Sequence, residues 1–175
     1  GEISETTGLD TGKVTELIRS ARRKMLEARE KRTRPFVDRT MYTSLNGMFA
    51  SAYLSAFRIM KDEYLRRFAL SSLERVLKDN FEEGVLYHCP GVRAVLDDYI
   101  FLSDAMLGAY EASADSAWLS RAEDMMELCV HRLWDGESGG FFDSEDAVLG
   151  IRLRTLDDVG HPSANSRGIM LLLKL

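Results

Sequence analysis

Two adjacent carboxylates and two histidines are the residues of this chain whose types and spacing could support catalysis. Asp97 and Asp98 open an apolar segment, His88 lies in a strand-like stretch just before it, and His161 precedes a later apolar segment. Carboxyl and imidazole groups are common general acids and bases, and histidine exchanges protons near neutral pH. Adjacent helical residues diverge by about 100°, so we expect at most one of the two aspartates to face a pocket while the other caps the helix.

Short polar side chains also stand at the starts of the apolar segments. Such residues are typical helix caps, and they could equally contact hydroxyl, carboxylate or phosphate groups where several helix N-termini converge. The candidate substrate-binding residues are Ser44, Asn46, Tyr99, Phe142, Ser163 and Asn165. A glycosidase would need a second carboxylate apart from the Asp97 and Asp98 pair, and Asp38, Asp143 and Asp158 are the candidates.

Six helices must position these residues, and their apolar periodicity divides them into two kinds. Residues 14–28, 62–80 and 116–134 carry apolar side chains on one face, which is typical of helices that pack on one side. Residues 44–60, 97–111 and 163–175 are apolar nearly all round, which is typical of buried helices. The two kinds alternate along the chain, so the sequence predicts an all-α fold with outer and inner layers.

The connections between these helices alternate as well. Links from an inner to an outer helix are short, whereas links from an outer to an inner helix are long. The long links carry a predicted strand at Gly84–Cys89 and a predicted hairpin formed by Gly140–Asp143 and Ile151–Arg154. Because all the inner helices then run in the same direction, we expect a pocket where their N-termini meet the long loops.

Four segments at that end carry a resemblance to a known family: Arg34–Gly47, Leu96–Leu102, Leu133–Asp143 and Asp158–Ser166. Together they resemble the YyaL family, thioredoxin-domain-containing proteins of the spermatogenesis-associated type. The resemblance implies an (α/α)6 barrel similar to N-acylglucosamine 2-epimerases and six-hairpin glycosidases, with a thioredoxin-like domain upstream of it. We therefore expect stacked αα hairpins forming about half of an (α/α)6 toroid, with short β-hairpin loops.

The resemblance implies a carbohydrate-active protein, either epimerase- or isomerase-like or glycosidase-like, with a small-molecule carbohydrate as its partner. The first motif departs from the family pattern, with Phe36, Arg39, Thr40 and Leu45 where the family has His, Asp, Lys and Trp. The alternative is therefore a non-catalytic, degenerate or truncated barrel half that associates with a second copy or with a partner through its open inner-helix surface. Large exposed apolar faces are unusual in water, which favours such a homo-oligomer.

Composition narrows the remaining possibilities. The 175 residues carry a net charge of −5, and no apolar run is long enough to span a bilayer, so we expect neither nucleic acid nor a membrane as partner.

Cys89 and Cys129 lack CxxC spacing and are interpreted as reduced thiols of a cytoplasmic protein. A zinc site from these cysteines with His88 and His131 is the alternative, but Cys129 falls on an apolar stripe, and we expect no metal and no cofactor. Residues 1–12 are predicted to be a flexible lead-in and residues 13–175 a partial toroid domain.

Overall fold

The computed structural model describes residues 6–147 and 150–175, and within those ranges the ordered elements are six helices and three short strands. The predicted all-α fold is confirmed, and each helix of the periodicity analysis is present. No helix among the described residues is long and apolar enough to cross a membrane. The helices are α1 (Thr11–Glu30), α2 (Thr43–Met60), α3 (Glu63–Asn80), α4 (Leu96–Ser113), α5 (Ser116–Leu133) and α6 (Ala164–Leu172), and the strands are β1 (Phe81–Glu82), β2 (Val85–Cys89) and β3 (Val92–Arg93).

The chain divides into two compact units, one ending at Arg39 and the other comprising Thr40–Leu175. Helix α1 belongs to the first unit, and its N-cap is Asp10, whose carboxylate accepts hydrogen bonds from the N–H groups of Gly12 and Lys13. Its apolar side chains are exposed, Met25 by 72%. The helix begins inside the predicted lead-in of residues 1–12, of which residues 1–5 lie outside the described part. The domain division made from the sequence remains a prediction.

The second unit has the predicted two layers. Helices α2, α4 and α6 form the inner layer, in which α4 contacts both α2 and α6. Helix α3 packs against α2, and α5 packs against α4. The core is therefore centred on α4, which buries apolar residues around most of its circumference. Only α4 matches the expectation of all-round burial, because Phe49 of α2 and Met170 of α6 are 67% and 52% exposed.

The loops follow the predicted alternation of short and long connections. Two αα hairpins turn through a left-handed residue, Lys61 after α2 and Ala114 after α4. The first long loop contains an antiparallel sheet of order β1-β2-β3, which confirms the predicted strand ending at Cys89. In the second long loop the N–H of Asp143 donates to the carbonyl of Leu153. The described residues at the predicted hairpin do not form a regular pair of strands. They form isolated bridges, one of them between Trp134 and Phe141.

Close backbone approach aligns the inner helices. Gly47 of α2 lies against α4 so tightly that a Cβ at this position would stand 2.7 Å from the carbonyl carbon and oxygen of Phe101. At the same end of the layer, the N–H of Ser44 in the first turn of α2 donates to the carboxylate of Asp98 in the first turn of α4. The N-termini of α2 and α4 are therefore adjacent, as the expectation of parallel inner helices requires.

Candidate functional site at the inner-helix N-termini

Asp98 is the structural centre of this end of the molecule. Its side chain is fully buried, and its two oxygens accept hydrogen bonds from the N–H of Ser44 at 2.9 Å and the N–H of Val95 at 3.0 Å. The Nδ1 atom of His88 lies 3.0 Å from both oxygens. The carboxylate thus joins α2, the start of α4 and strand β2. Charge-assisted hydrogen bonds are roughly twice as strong as neutral ones, so this contact fixes the geometry of the site.

His88 is held by Asp98 in a defined orientation. Its Nδ1 atom makes the contact with the carboxylate, which leaves Nε2 as the ring nitrogen outside this contact. The ring packs against Tyr42 with a centroid separation of 5.1 Å, while the side chain as a whole remains 31% exposed. A carboxylate that orients an imidazole ring is a common arrangement for a general base.

Asp97 points into a pocket instead. The pocket has a volume of about 460 Å³ and lies between the first turns of α4 and α6 and the second long loop. Its polar wall includes His161, whose Nε2 is 3.6 Å from a carboxylate oxygen of Asp97 and whose Nδ1 donates to the carbonyl of Pro162. Partial burial raises the pKa of the Asp97 carboxyl, and the nearby His161 partly offsets that shift.

The two adjacent aspartates thus have the divergent roles that helical geometry predicts: Asp98 completes the capping contacts of α4 and Asp97 faces the pocket. Each is paired with a histidine from a different loop, and both histidines act electrostatically on Asp97. Two carboxylate–imidazole pairs lie at one helix N-terminus. The four residues predicted to be catalytic are therefore brought to one end of the molecule, and their catalytic role remains a prediction.

The candidate second carboxylates are differently placed. Asp143 lines the pocket, but its two oxygens accept hydrogen bonds from the N–H and the hydroxyl of Thr155, at 2.8 and 2.7 Å. Asp158 accepts a hydrogen bond from the N–H of Ser163 just before α6. Asp38 belongs to the first compact unit. Asp143 and Asp158 therefore have structural contacts that hold the loop around the pocket.

Asn165 and Ser163 fix the loop to α6. Asn165 is 1% exposed, accepts from the N–H of Phe141 at 2.7 Å, and donates to the carbonyls of Phe141 and Thr155. Ser163 is the N-cap of α6, where its hydroxyl accepts from the N–H of Ser166, and it lines the pocket. Asn165 thus directs its side-chain amide at the backbone, whereas Ser163 lies at the pocket wall.

The other predicted substrate contacts lie outside the described lining of the pocket. Asn46 donates to the carbonyl of Tyr42 within its own helical turn. Tyr99 is in the core, where burial raises the pKa of its phenol to about 12. Phe142 packs under the guanidinium of Arg152, 4.0 Å from the ring centroid. Ser44 contributes its backbone N–H to Asp98, so its contact with the site is structural.

Sequence reasoning missed much of the pocket wall. Val95, Ser144, Leu153, Thr155 and Val159 line it, and most of these come from a loop without hydrophobic periodicity. The only available signal was the length of that loop, because long loops in compact domains are usually functional. Their individual contacts depend on how the loop folds back on α6.

Neither cysteine belongs to the described lining of the pocket. Cys129 is completely buried on α5, and burial raises the pKa of its thiol to about 12. Cys89 is half-buried at the end of β2, and both are free thiols. Among residues 6–147 and 150–175, no group of three or more potential ligands is placed to hold a metal ion.

The fold identifies the class of protein. A sugar epimerase from a ruminal bacterium superimposes with a TM-score of 0.55 and 20% sequence identity, over 77% of this chain and 37% of that chain. The second unit is therefore a fragment of an α/α toroid with an epimerase-like fold, as the sequence predicted. No protein-family model matches the chain.

Curated proteins are similar to almost the whole of this chain. Spermatogenesis-associated protein 20 of Homo sapiens is 31% identical over 96% of this chain, and that of Rattus norvegicus is 30% identical over the same share. The chain is a homologue of spermatogenesis-associated protein 20, which confirms the predicted family resemblance. It spans about a quarter of the length of these relatives, 24% in each.

Proposed function

We propose that the pocket beside Asp97 binds a carbohydrate and catalyses epimerase- or isomerase-like proton transfer. The observation that carries the proposal is the pair of carboxylate–histidine contacts, Asp97 with His161 and Asp98 with His88, at one helix N-terminus. Epimerisation next to a carbonyl requires one group that removes a proton and another that returns it. The structural similarity to a sugar epimerase supports carbohydrate as the substrate class.

In this proposal the two histidines have different tasks. Asp98 holds His88 at the same helix N-terminus but outside the described lining of the pocket. The proposed ligand extends from the pocket to the Nε2 atom of His88, which removes the proton. The raised pKa of Asp97 keeps its carboxyl protonated to higher pH than usual, which suits returning a proton to a ligand bound beside Asp97 and His161. Glycoside hydrolysis needs a second carboxylate, and two others line the pocket, Asp143 and Asp157. Asp143 is already bound by Thr155, which leaves Asp157 as the residue whose substitution would test hydrolysis.

The test is proton exchange into sugars. A panel of reducing monosaccharides and disaccharides is incubated with the chain in D₂O without added cofactor, and deuterium at the carbon next to the carbonyl is followed by NMR. We expect His88→Gln and His161→Gln each to slow exchange by about 10² or more. His131→Gln is the matched control, because His131 is an exposed histidine of α5. Absence of exchange with every sugar, or equal rates in all three variants, contradicts the proposal.

A cytoplasmic location is part of the proposal. The two cysteines of the chain, Cys89 and Cys129, are both free thiols, one half-buried and one in the core. Free thiols are typical of reducing compartments, which supports this location.

The second candidate function is association through the inner layer. On the edge of α2, positions 45, 49, 52, 56 and 59 follow the alternating four- and three-residue spacing of a helix–helix seam. Leu45, Phe49 and Ile59 on that edge are 49%, 67% and 84% exposed. A second copy of the chain could cover this edge.

Light scattering across a concentration series tests the association. Phe49→Glu should convert an oligomer to a monomer, whereas Phe36→Glu, at a 90% exposed position of the other unit, should not. A chain that is monomeric and folded at every concentration rules this function out. That result has no bearing on proton exchange, so the two candidates are distinguishable.

A further inference from the structure

Helix α1 presents its apolar side chains to solvent along one face. Its twenty residues all lie within the described ranges, and none of them is buried. Leu17, Met25 and Leu26 are 54%, 72% and 56% exposed. Soluble proteins seldom leave an apolar helix face of this length uncovered, so the exposure indicates a docking surface.

The apolar positions of this face follow the repeat of a helix–helix seam. They alternate in steps of four and three residues, which is the spacing of the a and d positions of a heptad: Val14, Ile18, Ala21, Met25 and Ala28. We call these five residues the α1 seam. The seam extends over about 21 Å, or nearly four helical turns, so a partner helix of similar length could cover it.

The charged residues of α1 are sorted around this seam. The e and g positions that flank it contribute four basic residues and no acidic one: Arg22, Lys24, Arg29 and the C-cap Lys31. The acidic residues of the helix all occupy c and f positions on the opposite face: Glu16, Glu27 and Glu30. On that face Glu27 lies 3.8 Å from Arg23. The α1 seam is therefore bordered by positive charge on both sides.

This charge pattern disfavours a second copy of α1 as the partner. In paired helices the e and g residues of one helix lie beside those of the other, and their charges set the choice of partner. Two copies of α1 would bring arginine and lysine side chains together, and such like-charge contacts are unfavourable. Aspartate or glutamate at the same positions of a partner would instead form ion pairs along both sides of the seam. The complementary partner is therefore acidic.

The composition of the α1 seam also favours a helix over a lipid surface. Helices that lie in a membrane interface typically bury tryptophan, phenylalanine and leucine side chains. Helix α1 contains no aromatic residue, and two of its five seam positions are the small residues Ala21 and Ala28. Small side chains at a contact allow two helices to approach closely. We propose that α1 docks an amphipathic helix of another protein, one whose apolar seam is flanked by carboxylates.

Two designed peptides of about 28 residues test this proposal. Both carry leucine at every a and d position, and one carries glutamate while the other carries lysine at every e and g position. Because like charges then face one another, neither peptide pairs with itself. Each labelled peptide is titrated with the 175-residue chain and followed by fluorescence anisotropy. We expect one glutamate peptide to bind per chain, about tenfold or more tighter than the lysine peptide, and the difference to shrink at high salt.

Charge-reversal variants locate the binding surface. Lys24→Glu combined with Arg29→Glu should abolish the preference for the glutamate peptide, because both positions flank the seam. Arg19→Glu combined with Arg23→Glu is the matched control, since it makes the same change in net charge at positions away from the seam. Met25→Glu should abolish binding of both peptides by placing a charge within the seam. All five positions are exposed, so we expect each variant to keep the circular dichroism spectrum of the parent.

Several results would overturn the proposal. Equal affinity for the two peptides, or binding of neither, refutes recognition of an acidic helix. An equal loss of binding in the control pair means that net charge, and not the α1 seam, attracts the peptide. A dimer in light scattering that Met25→Glu converts to a monomer assigns the seam to a second copy. Tighter association with phosphatidylserine-containing vesicles than with the glutamate peptide assigns it to a lipid surface, and either assignment replaces the acidic helix.

Discussion

Asp98→Asn should destabilise the chain far more than the neighbouring change Asp97→Asn. Asparagine has the shape of aspartate but replaces one oxygen by an NH₂ group, which cannot accept a hydrogen bond. One of the two N–H groups that Asp98 now binds, from Ser44 or Val95, would therefore face another donor. The contact with His88 would lose its ionic character as well.

The expected loss follows from these contacts. An unsatisfied buried N–H costs about 1–3 kcal/mol, and hydrogen bonds to a charged group contribute about 1.5–3 kcal/mol each. In Asp98→Asn one N–H group loses its acceptor and the contacts that remain are no longer made to a charged group. Together these two effects should lower the free energy of unfolding by about 3 kcal/mol. For a chain of this size that decrease corresponds to about 6–12 °C in Tm.

Asp97 provides the internal control. Its side chain is 36% exposed, and its partner His161 lies at 3.6 Å, beyond hydrogen-bonding distance. Asp97→Asn should therefore change stability by no more than about 0.5 kcal/mol at neutral pH. Urea denaturation followed by circular dichroism measures both variants. An Asp98→Asn variant within about 1 kcal/mol of the parent, or equal losses for both changes, refutes the assignment of Asp98 as the structural aspartate.

Three further changes test the packing and ionisation of α2 and α4. Gly47→Ala should lower the free energy of unfolding, measured by urea denaturation, by about 1–2 kcal/mol, because the new Cβ would collide with the Phe101 backbone. Alanine in a helix normally stabilises by about 1 kcal/mol relative to glycine, so a gain in stability would contradict the close approach. Ala114→Gly should raise the free energy of unfolding by about 0.5–1 kcal/mol, since Ala114 has a φ of 57°, which glycine adopts without strain. Ala112→Gly, inside α4, should instead lower it by about 1 kcal/mol. Changes of the same sign in both variants would contradict the left-handed turn. The folded pKa of Tyr99, about 12, lies above the ordinary value of 10.0, so its stabilising contribution is complete below pH 10 and is lost as the pH rises toward 12. Tyr99→Phe should flatten the fall of melting temperature across that range, and an unchanged slope contradicts the burial of the phenol.

The layered fold could be predicted from the sequence because it depends on local periodicity. Helix α4 is apolar around nearly its whole circumference, and the structure buries it between α2, α6 and the outer helices. The divergence of Asp97 and Asp98 also follows from the geometry of one helix. Burial of α2 and α6 was overestimated, because an apolar sequence does not show whether a neighbouring helix covers each face.

The partners of the site residues could not be predicted in the same way. The contact between His88 and Asp98 depends on the sheet that directs β2 back toward α4. Asn165 occupies the expected place at the start of α6, but its amide binds the backbone of Phe141 and Thr155, which reach it through an irregular loop. Such contacts are set by tertiary packing, so residue type and spacing predicted the location of the site better than the role of each side chain.

The first turn of α4 combines stability and chemistry in adjacent residues. Asp98 is buried and bound on both oxygens, which holds Ser44 and His88 in place, whereas Asp97 is free to change its protonation in the pocket. A carboxylate that fixes structure has its oxygens occupied by hydrogen bonds, whereas one that exchanges protons must lie within reach of a ligand. A single residue cannot meet both requirements. A helix N-terminus with two consecutive aspartates separates them by about 100°, and this explains why only one of the two, Asp97, faces the pocket.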